Sequence, residues 1–315
     1  MKCVLQVLYK LNDMKKIKKI INELKAPETY ENTLLNSFIN ILDVIEKYAY
    51  NLISKDIYEN NISKFINQTF KKNKSIISGI IPSNLYFMLL ETFNAEIFQN
   101  FNFLCNDAFD ELYKYSENPF SNLNLKVSDE NKLNNLINDF RDKFKGPFVN
   151  NFYFINFKFK QCQICKNIFP NASISQMIAL DLQNKEENIK ELIDKYMNFN
   201  LTEKKCKKCK ALTKFKEKSN FLNAPFYLVF ELEDRNDVFF EDIINIKTFN
   251  EIQVNYEFVS CICKTKNNDI SRYIAIIKNK DKNKFEIYSE DNIKIEDEIN
   301  YKLNCPSLAI YKKIP

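Results

Sequence analysis

The chain has no histidine and no tryptophan, and only two glycines, Gly79 and Gly146, in 315 residues. Each shortage excludes a class of chemistry. Without an imidazole there is no histidine base, no histidine metal ligand and no Ser-His-Asp or Cys-His triad. The H-E-x-x-H zinc peptidases fall with them. Two isolated glycines exclude a P-loop and a G-x-G-x-x-G dinucleotide loop. What remains is chemistry by carboxylates, cysteines, lysines or a bound metal.

Long apolar runs are also lacking. None reaches the ~20 residues of a membrane span. The short apolar start after Lys2 is broken by Gln6 and Tyr9, with no small-residue cleavage site behind it. The expectation is an intracellular, cytoplasmic protein with no membrane partner. Charge of one sign is not concentrated either: 46 Lys+Arg stand against 41 Asp+Glu, a net charge of +5. The lysines are spread along the whole chain, so no direct nucleic-acid site is evident.

Hydrophobic residues, at 45%, mark a globular chain with a sizeable core. The 28 Phe and 16 Tyr sit mostly at helix or strand spacing beside aliphatics. That favours core packing over base-stacking platforms; Phe239 and Phe240, after a turn, form a weak candidate contact surface. The first half has helical period. Val4, Leu5, Leu8 and Leu11, then Ile17 to Leu24, Leu34 to Ile45 and Ile57 to Phe70 repeat apolar residues on one face. Pro82 to Phe93, Phe98 to Tyr115 and Leu133 to Phe144 continue the pattern. Gly146 and Pro147 end it. The period then changes to two. Phe148 to Lys160, Ile178 to Leu182, Phe226 to Leu232, Tyr256 to Cys263, Tyr273 to Lys278, Lys284 to Tyr288 and Leu308 to Tyr311 read as strands, with a short helix at Ile189 to Tyr196. Helices followed by antiparallel strands make an α+β protein.

Nine cysteines, an odd number, suggest thiols and metal ligands before disulfides. Cys162-Gln-Ile-Cys165 and Cys206-Lys-Lys-Cys209 are two C-x-x-C pairs. A two-residue gap turns both sulfurs of a knuckle toward one ion, and two knuckles complete a tetrahedral thiolate site. Four sulfur ligands leave no open coordination position, so the site is structural Zn2+ and not catalytic. Redox C-x-x-C pairs or free thiols are the less favoured alternatives. Lys204, Lys205, Lys207, Lys208 and Lys210 surround the second pair and are expected to favour thiolate. Some forty residues separate the knuckles, so strands or a helix must leave and return between them. Cys105 falls on a helix's apolar face, and Cys261 and Cys263 alternate in a strand, which favours burial; Cys3 and Cys305 carry no assignment. Glu231 and Glu233 alternate on a strand and are read as an exposed face in preference to a Mg2+ site.

Two knuckles about forty residues apart, after a helical half and before a β half, resemble the ubiquitin-specific protease fold. Asn106 to Leu112 resembles that family's Gln-Asp-Ala helix. Asn223 to Arg235 resembles its Leu-Pro, apolar strand, Arg segment, and Tyr256 to Cys263 its palm strand. The resemblance implies a papain-like cysteine protease fold in one domain over 1–315: a helical thumb over 1–146, zinc-bearing fingers over 147–225 and an antiparallel β palm over 226–315. It also implies where a catalytic triad would stand. Ser271-Arg272-Tyr273 takes the place of Gly-His-Tyr, and Ser289 takes the place of the Asp or Asn. Val4-Leu5-Gln6 corresponds to the segment that follows the nucleophile, so Met1 comes after the nucleophile's position and Cys3 is out of register. The expectation is a pseudoenzyme with vestigial triad positions.

The start, Cys3 to Met14, and the end, Tyr301 to Lys313, resemble the ubiquitin-hydrolase-like domain of the PAN poly(A)-nuclease deadenylase. That resemblance implies a non-catalytic scaffold in mRNA turnover, with an exonuclease and a pseudokinase adaptor as protein partners. A ubiquitin-binding module, or a divergent deubiquitinase, is the alternative, with ubiquitin as the partner.

Overall fold

A computed structural model describes residues 2–11, 34–49, 52–72, 151–180, 186–198, 200–232, 237–248, 252–265, 273–279, 284–289, 293–297 and 304–315. The helices expected at Ile17 to Leu24, Pro82 to Phe93, Phe98 to Tyr115 and Leu133 to Phe144 lie outside them. Three helices come first: α1 (Lys2–Lys10), α2 (Leu34–Ala49) and α3 (Lys55–Lys72). Then follow β1 (Phe154–Cys162), β2 (Ile168–Ser175), β3 (Ile178–Ala179), β4 (Glu186–Asn188), α4 (Ile189–Met197), β5 (Asn200–Lys205) and β6 (Leu212–Phe221). The rest is strand: β7 (Tyr227–Glu231), β8 (Asp237–Phe239), β9 (Ile243–Lys247), β10 (Gln253–Thr265), β11 (Tyr273–Asn279), β12 (Lys284–Tyr288), β13 (Ile293–Glu296) and β14 (Asn304–Lys313). No helix among the described residues is long and apolar enough to cross a membrane.

The chain divides into two compact units. One comprises Met1–Phe101, Gly146–Phe148 and Val259–Ala309. Its helices bury the stripes that their period predicts: Leu5 and Leu8 of α1, Ile41 and Ile45 of α2, Tyr58, Ile62 and Phe65 of α3. Ser54 caps α3, its hydroxyl accepting from the Ile57 N–H at 3.4 Å. Tyr48 stacks on Tyr58 with ring centroids 4.3 Å apart. The strands lie in the order β13-β12-β11-β10-β14. Cys261, Ile262 and Cys263 of β10 stand opposite Ile276, Ala275 and Ile274 of β11, all buried. That continuous apolar run is what a strand covered on both faces requires. Helix α1 packs against β11. It is tied to β12 by Glu286, whose carboxylate accepts from Lys10 Nζ at 3.1 Å, Tyr288 Oη at 2.6 Å and Asn279 Nδ2 at 2.6 Å. Burial raises the Glu286 pKa, but these donors outweigh it and hold the carboxyl below the usual range.

The other unit comprises Asn102–Lys145, Val149–Phe258 and Ile310–Pro315. It holds a four-stranded antiparallel sheet in the order β2-β1-β6-β5. Helix α4 begins at an Asn188 cap, whose Oδ1 accepts from the Lys190 N–H at 2.8 Å. Its Tyr196 stacks on Phe221 of the sheet and accepts from Asn156 Nδ2 at 2.6 Å. Elsewhere in the unit β3 pairs with β7, β4 with β8, and β9 with the first half of β10. Phe240, Phe258, Tyr311 and Phe230 form a chain of ring contacts. Tyr256 and Tyr311 bury their rings and donate to the Pro225 and Glu241 carbonyls.

Two expected strands differ in extent. The strand expected from Phe148 begins at Phe154, because Asn151 and Phe152 are helical; residues 148–150 lie outside the described residues. Of the one expected over Ile178 to Leu182, Ile178 and Ala179 pair with β7, and Asp181 and Leu182 lie outside the described residues. Of the two aromatics singled out after the turn, Phe239 is exposed, while Phe240 stacks on Phe258.

Candidate metal centre

The two C-x-x-C pairs occupy equivalent places. Strand β1 ends at Cys162 and turns back through Cys165 into β2. Strand β5 leads through Cys206 and Cys209 into β6. A strand, β5, therefore precedes the second pair, where the sequence pattern had placed only the short helix. Because β1 and β6 are antiparallel neighbours, with Cys162 opposite Phe215, both turns fall at one end of the sheet.

The turns share one backbone pattern. Lys166 N–H donates to the Cys162 carbonyl at 3.0 Å, and Cys162 N–H donates to Asn167 at 3.0 Å. In the second turn Lys210 N–H donates to Cys206 at 2.9 Å, and Cys206 N–H to Ala211 at 2.8 Å. Closing each turn puts the residue after the second cysteine in the left-handed region: φ is 56° at Lys166 and 62° at Lys210. Glycine is the usual occupant of such a position. This chain, with two glycines in all, uses lysine at both.

The turns are also tied to each other. Gln163 N–H donates to the Lys214 carbonyl at 3.1 Å, and Lys208 Nζ donates to Asn167 Oδ1 at 2.9 Å. Cys162, Cys206 and Phe215 are buried, with Cys165, Cys209 and Phe169 packed against them.

The four sulfurs lie within 4.8 Å of one another. Cys162 Sγ is 3.8 Å from Cys209 Sγ, and Cys165 Sγ is 3.7 Å from Cys206 Sγ. A disulfide would need ~2.05 Å. A tetrahedron with metal–sulfur bonds of ~2.3 Å has edges of ~3.8 Å. The donor set and its dimensions therefore fit one tetrahedral ion held by Cys162, Cys165, Cys206 and Cys209, and leave no position for substrate. The electrostatics suit the same end. Burial pushes the Cys206 thiol up, but the backbone N–H groups of Cys209 and Lys208 outweigh it and bring it down to about 6. At Cys209 the Ala211 N–H lowers the pKa, while burial and the other three sulfurs raise it further, to about 11. One thiolate forms readily and its neighbours resist a second negative charge; that resistance is what a cation removes. Backbone amides, with hydrogen bonds from the Cys209 and Cys162 thiols, and not the charges of the surrounding lysines, supply the lowering.

The other candidate residues fall elsewhere. Ser289 is exposed at the end of β12. Arg272, Cys105 and Glu233 lie outside the described residues. Cys3 is in α1. Cys261, Cys263 and Cys305 are buried, the first two with sulfurs 3.6 Å apart. The left-handed lysines and the Lys208–Asn167 tie escaped sequence reading, since a lysine carries no turn signal; the matching C-x-x-C-Lys spacing of the two pairs was the one clue available.

No curated protein matches the sequence closely enough to show a relationship. Among solved structures the fold is similar to the SAGA Ubp8/Sgf11/Sus1/Sgf73 DUB module bound to ubiquitin aldehyde. The TM-score is 0.66 at 12% identity, over 100% of this chain and 67% of that one. A form of that module with a substituted Ubp8 and a shortened Sgf11 gives 0.69 at 11% identity, over 100% and 67%. The yeast module with a substituted Sgf73 gives 0.64 at 11% identity, over 100% and 66%. The chain thus spans about two thirds of the length of those chains, and identities this low show the fold. The family profile described as ubiquitin carboxyl-terminal hydrolase matches residues 1–311, and with it covering nearly every residue, the chain belongs to the ubiquitin carboxyl-terminal hydrolase family.

Proposed function

We propose that this chain is a non-catalytic member of its family, a cytoplasmic scaffold whose fingers are held by one structural zinc on Cys162, Cys165, Cys206 and Cys209. The observation that carries the reading is the absence of histidine from the whole matched segment. Thiol proteolysis in a Cys-His-Asp triad needs a base that takes the thiol proton near neutral pH. By the Ser271-Arg272-Tyr273 resemblance, Arg272 takes that base's position, and its guanidinium keeps its proton throughout. Ser289, at the third position, has no imidazole to orient. Zinc suits four thiolates with no open position, and when bound it would supply structure and no reaction step.

For the assembly, the likeness of the two ends of the chain to the PAN-type domain supports a poly(A)-deadenylase complex, with an exonuclease and a pseudokinase adaptor as partners. A second reading, retained ubiquitin binding or a divergent deubiquitinase, is favoured by the fold's likeness to a module solved with ubiquitin aldehyde. Two experiments test these readings. The purified, zinc-replete chain, given a fluorogenic ubiquitin C-terminal substrate, should show no turnover above buffer; saturable hydrolysis would overturn the non-catalytic reading. Affinity purification from the native cell should recover an exonuclease and a pseudokinase adaptor. Ubiquitin conjugates recovered without them would establish the second reading.

A further inference from the structure

The β2-β1-β6-β5 sheet has an outer strand, β5, whose far side pairs with no other strand among the described residues. Leu201, Glu203, Lys204 and Lys205 on it are exposed. Six residues in register with β6 present ~20 Å of backbone donors and acceptors. The register places Leu201 opposite Lys216, Glu203 opposite Lys214 and Lys205 opposite Leu212, so these share one face with Lys218. That face carries Lys205, Lys214, Lys216 and Lys218 against the single acid Glu203. Burial, with the charges of Lys247 and Lys216, lowers the Lys218 pKa, a mark of cations crowded together. The opposite face has one carboxylate, Glu217, already held by Thr202, Lys160 and Lys204. Past β5 the turn continues the same charge, with Lys207, Lys208 and Lys210 exposed. The exposed apolar groups on the cationic face are aliphatic: Leu201 at 64% and Leu212 at 69% exposure.

We propose that β5 is a docking edge for an extended acidic segment of a partner protein, which adds to the sheet as a fifth strand. Main-chain hydrogen bonds would supply affinity and alternate side chains would supply choice. Leu201 and Leu212 receive apolar residues of the added strand while Lys205, Lys214 and Lys216 receive its carboxylates. The lysines also set the edge against the wrong partner, because a second copy of β5 would bring its own lysines into contact. A nucleic acid would use the same charge, but Phe159, which shares the face opposite Lys218, is buried, and no exposed aromatic side chain stands on the face among the described residues to stack on. The edge needs only the fingers sheet, so it stands apart from whether the chain cleaves ubiquitin.

The test uses the full zinc-replete chain and a fluorescein-labelled peptide of about ten residues alternating Glu with Val, read by anisotropy at physiological salt. Saturable binding is expected. Methylating alternate backbone nitrogens of the peptide should weaken it about tenfold or more, since an added strand needs those N–H groups. The double variant Lys205→Glu, Lys214→Glu should lose a similar factor with its metal content unchanged, and a Lys-Val peptide should not bind. Equal binding of the methylated peptide would overturn the proposal, as would absence of saturable binding. So would oligouridylate binding more tightly than the acidic peptide at equal charge.

Discussion

The palm strands β10 and β11 and the finger strands β1, β2, β5 and β6 are all antiparallel β-structure, yet they are held in opposite ways. In the palm, Cys261, Ile262 and Cys263 pair with Ile276, Ala275 and Ile274, and each is at most 8% exposed. At the finger turns, by contrast, the buried cluster is Cys162, Cys206 and Phe215, with three half-buried neighbours. Strand β6 alternates lysine with little that is apolar before Ser219, and β5 is almost wholly exposed. The sheet buries Phe154, Ile155, Phe159 and Phe221 at its other end, so it is the turn end that has little apolar surface to remove. In the proposed reading, four thiolates around one ion would staple that end, as small metal-stapled modules do. The lesson is that the polar, lysine-rich ends of these strands bring their turns together on four cysteines, where the palm brings together aliphatic side chains.

The largest expected effect comes from removing that ion. Cys206→Ser should abolish metal binding and unfold the finger hairpins, at a cost of several kcal/mol set against the ~10 kcal/mol or more that structural zinc supplies in small modules. Hydrogen exchange should show protection lost over β1, β2, β5 and β6 and kept in β10 and β11. Loss of protection everywhere would erase the contrast between the two regions. Next, Ile276→Ala in the palm should cost about 2–5 kcal/mol by leaving a cavity, with metal content unchanged in the folded protein. Smaller again is the double change Lys166→Gly, Lys210→Gly. Relief of the left-handed strain, ~1 kcal/mol per position, outweighs the extra chain entropy of glycine. A melting-temperature rise is expected, and a fall would show that the lysine side chains contribute more than their backbone costs.

The smallest effect is pH-dependent. The folded Glu286 carboxyl lies below its unfolded pKa. Its contribution is therefore present above the ordinary carboxylate range and is lost as pH falls through the lowered folded value. Between about pH 5 and 3, stability should fall more steeply in the wild type than in Glu286→Gln, as denaturant midpoints would show. The half-exposed Lys10 partner keeps the difference to about 1 kcal/mol or less.

Sequence reading found the strands and helices that bury a stripe. Leu34 to Ile45, Ile57 to Phe70 and Tyr273 to Lys278 lie within α2, α3 and β11 because burial dictated their pattern. It missed β2, β4, β5, β6, β8, β9 and β13; β5, β6 and β13 read as turn or surface and take their conformation from pairing, while β9 buries Ile244 and Ile246 in a run too short to stand out. The four-cysteine cluster was legible because the two C-x-x-C spacings are themselves what brings four sulfurs together. The acidity of Cys206 was misattributed to lysines because the amides that lower it belong to the backbone, which leaves no trace in residue type. Ser289 follows β12, and its exposure required coordinates.

The central claim is that one ion substitutes for a core at the turn end of the fingers. The most direct measurement is metal content by atomic emission on the purified full chain, with and without prior exposure to a chelator, alongside far-ultraviolet circular dichroism. The account predicts one equivalent of zinc per chain, and a loss of β signal when the chelator removes it. A metal-free chain with the same β signal and the same melting temperature would contradict it.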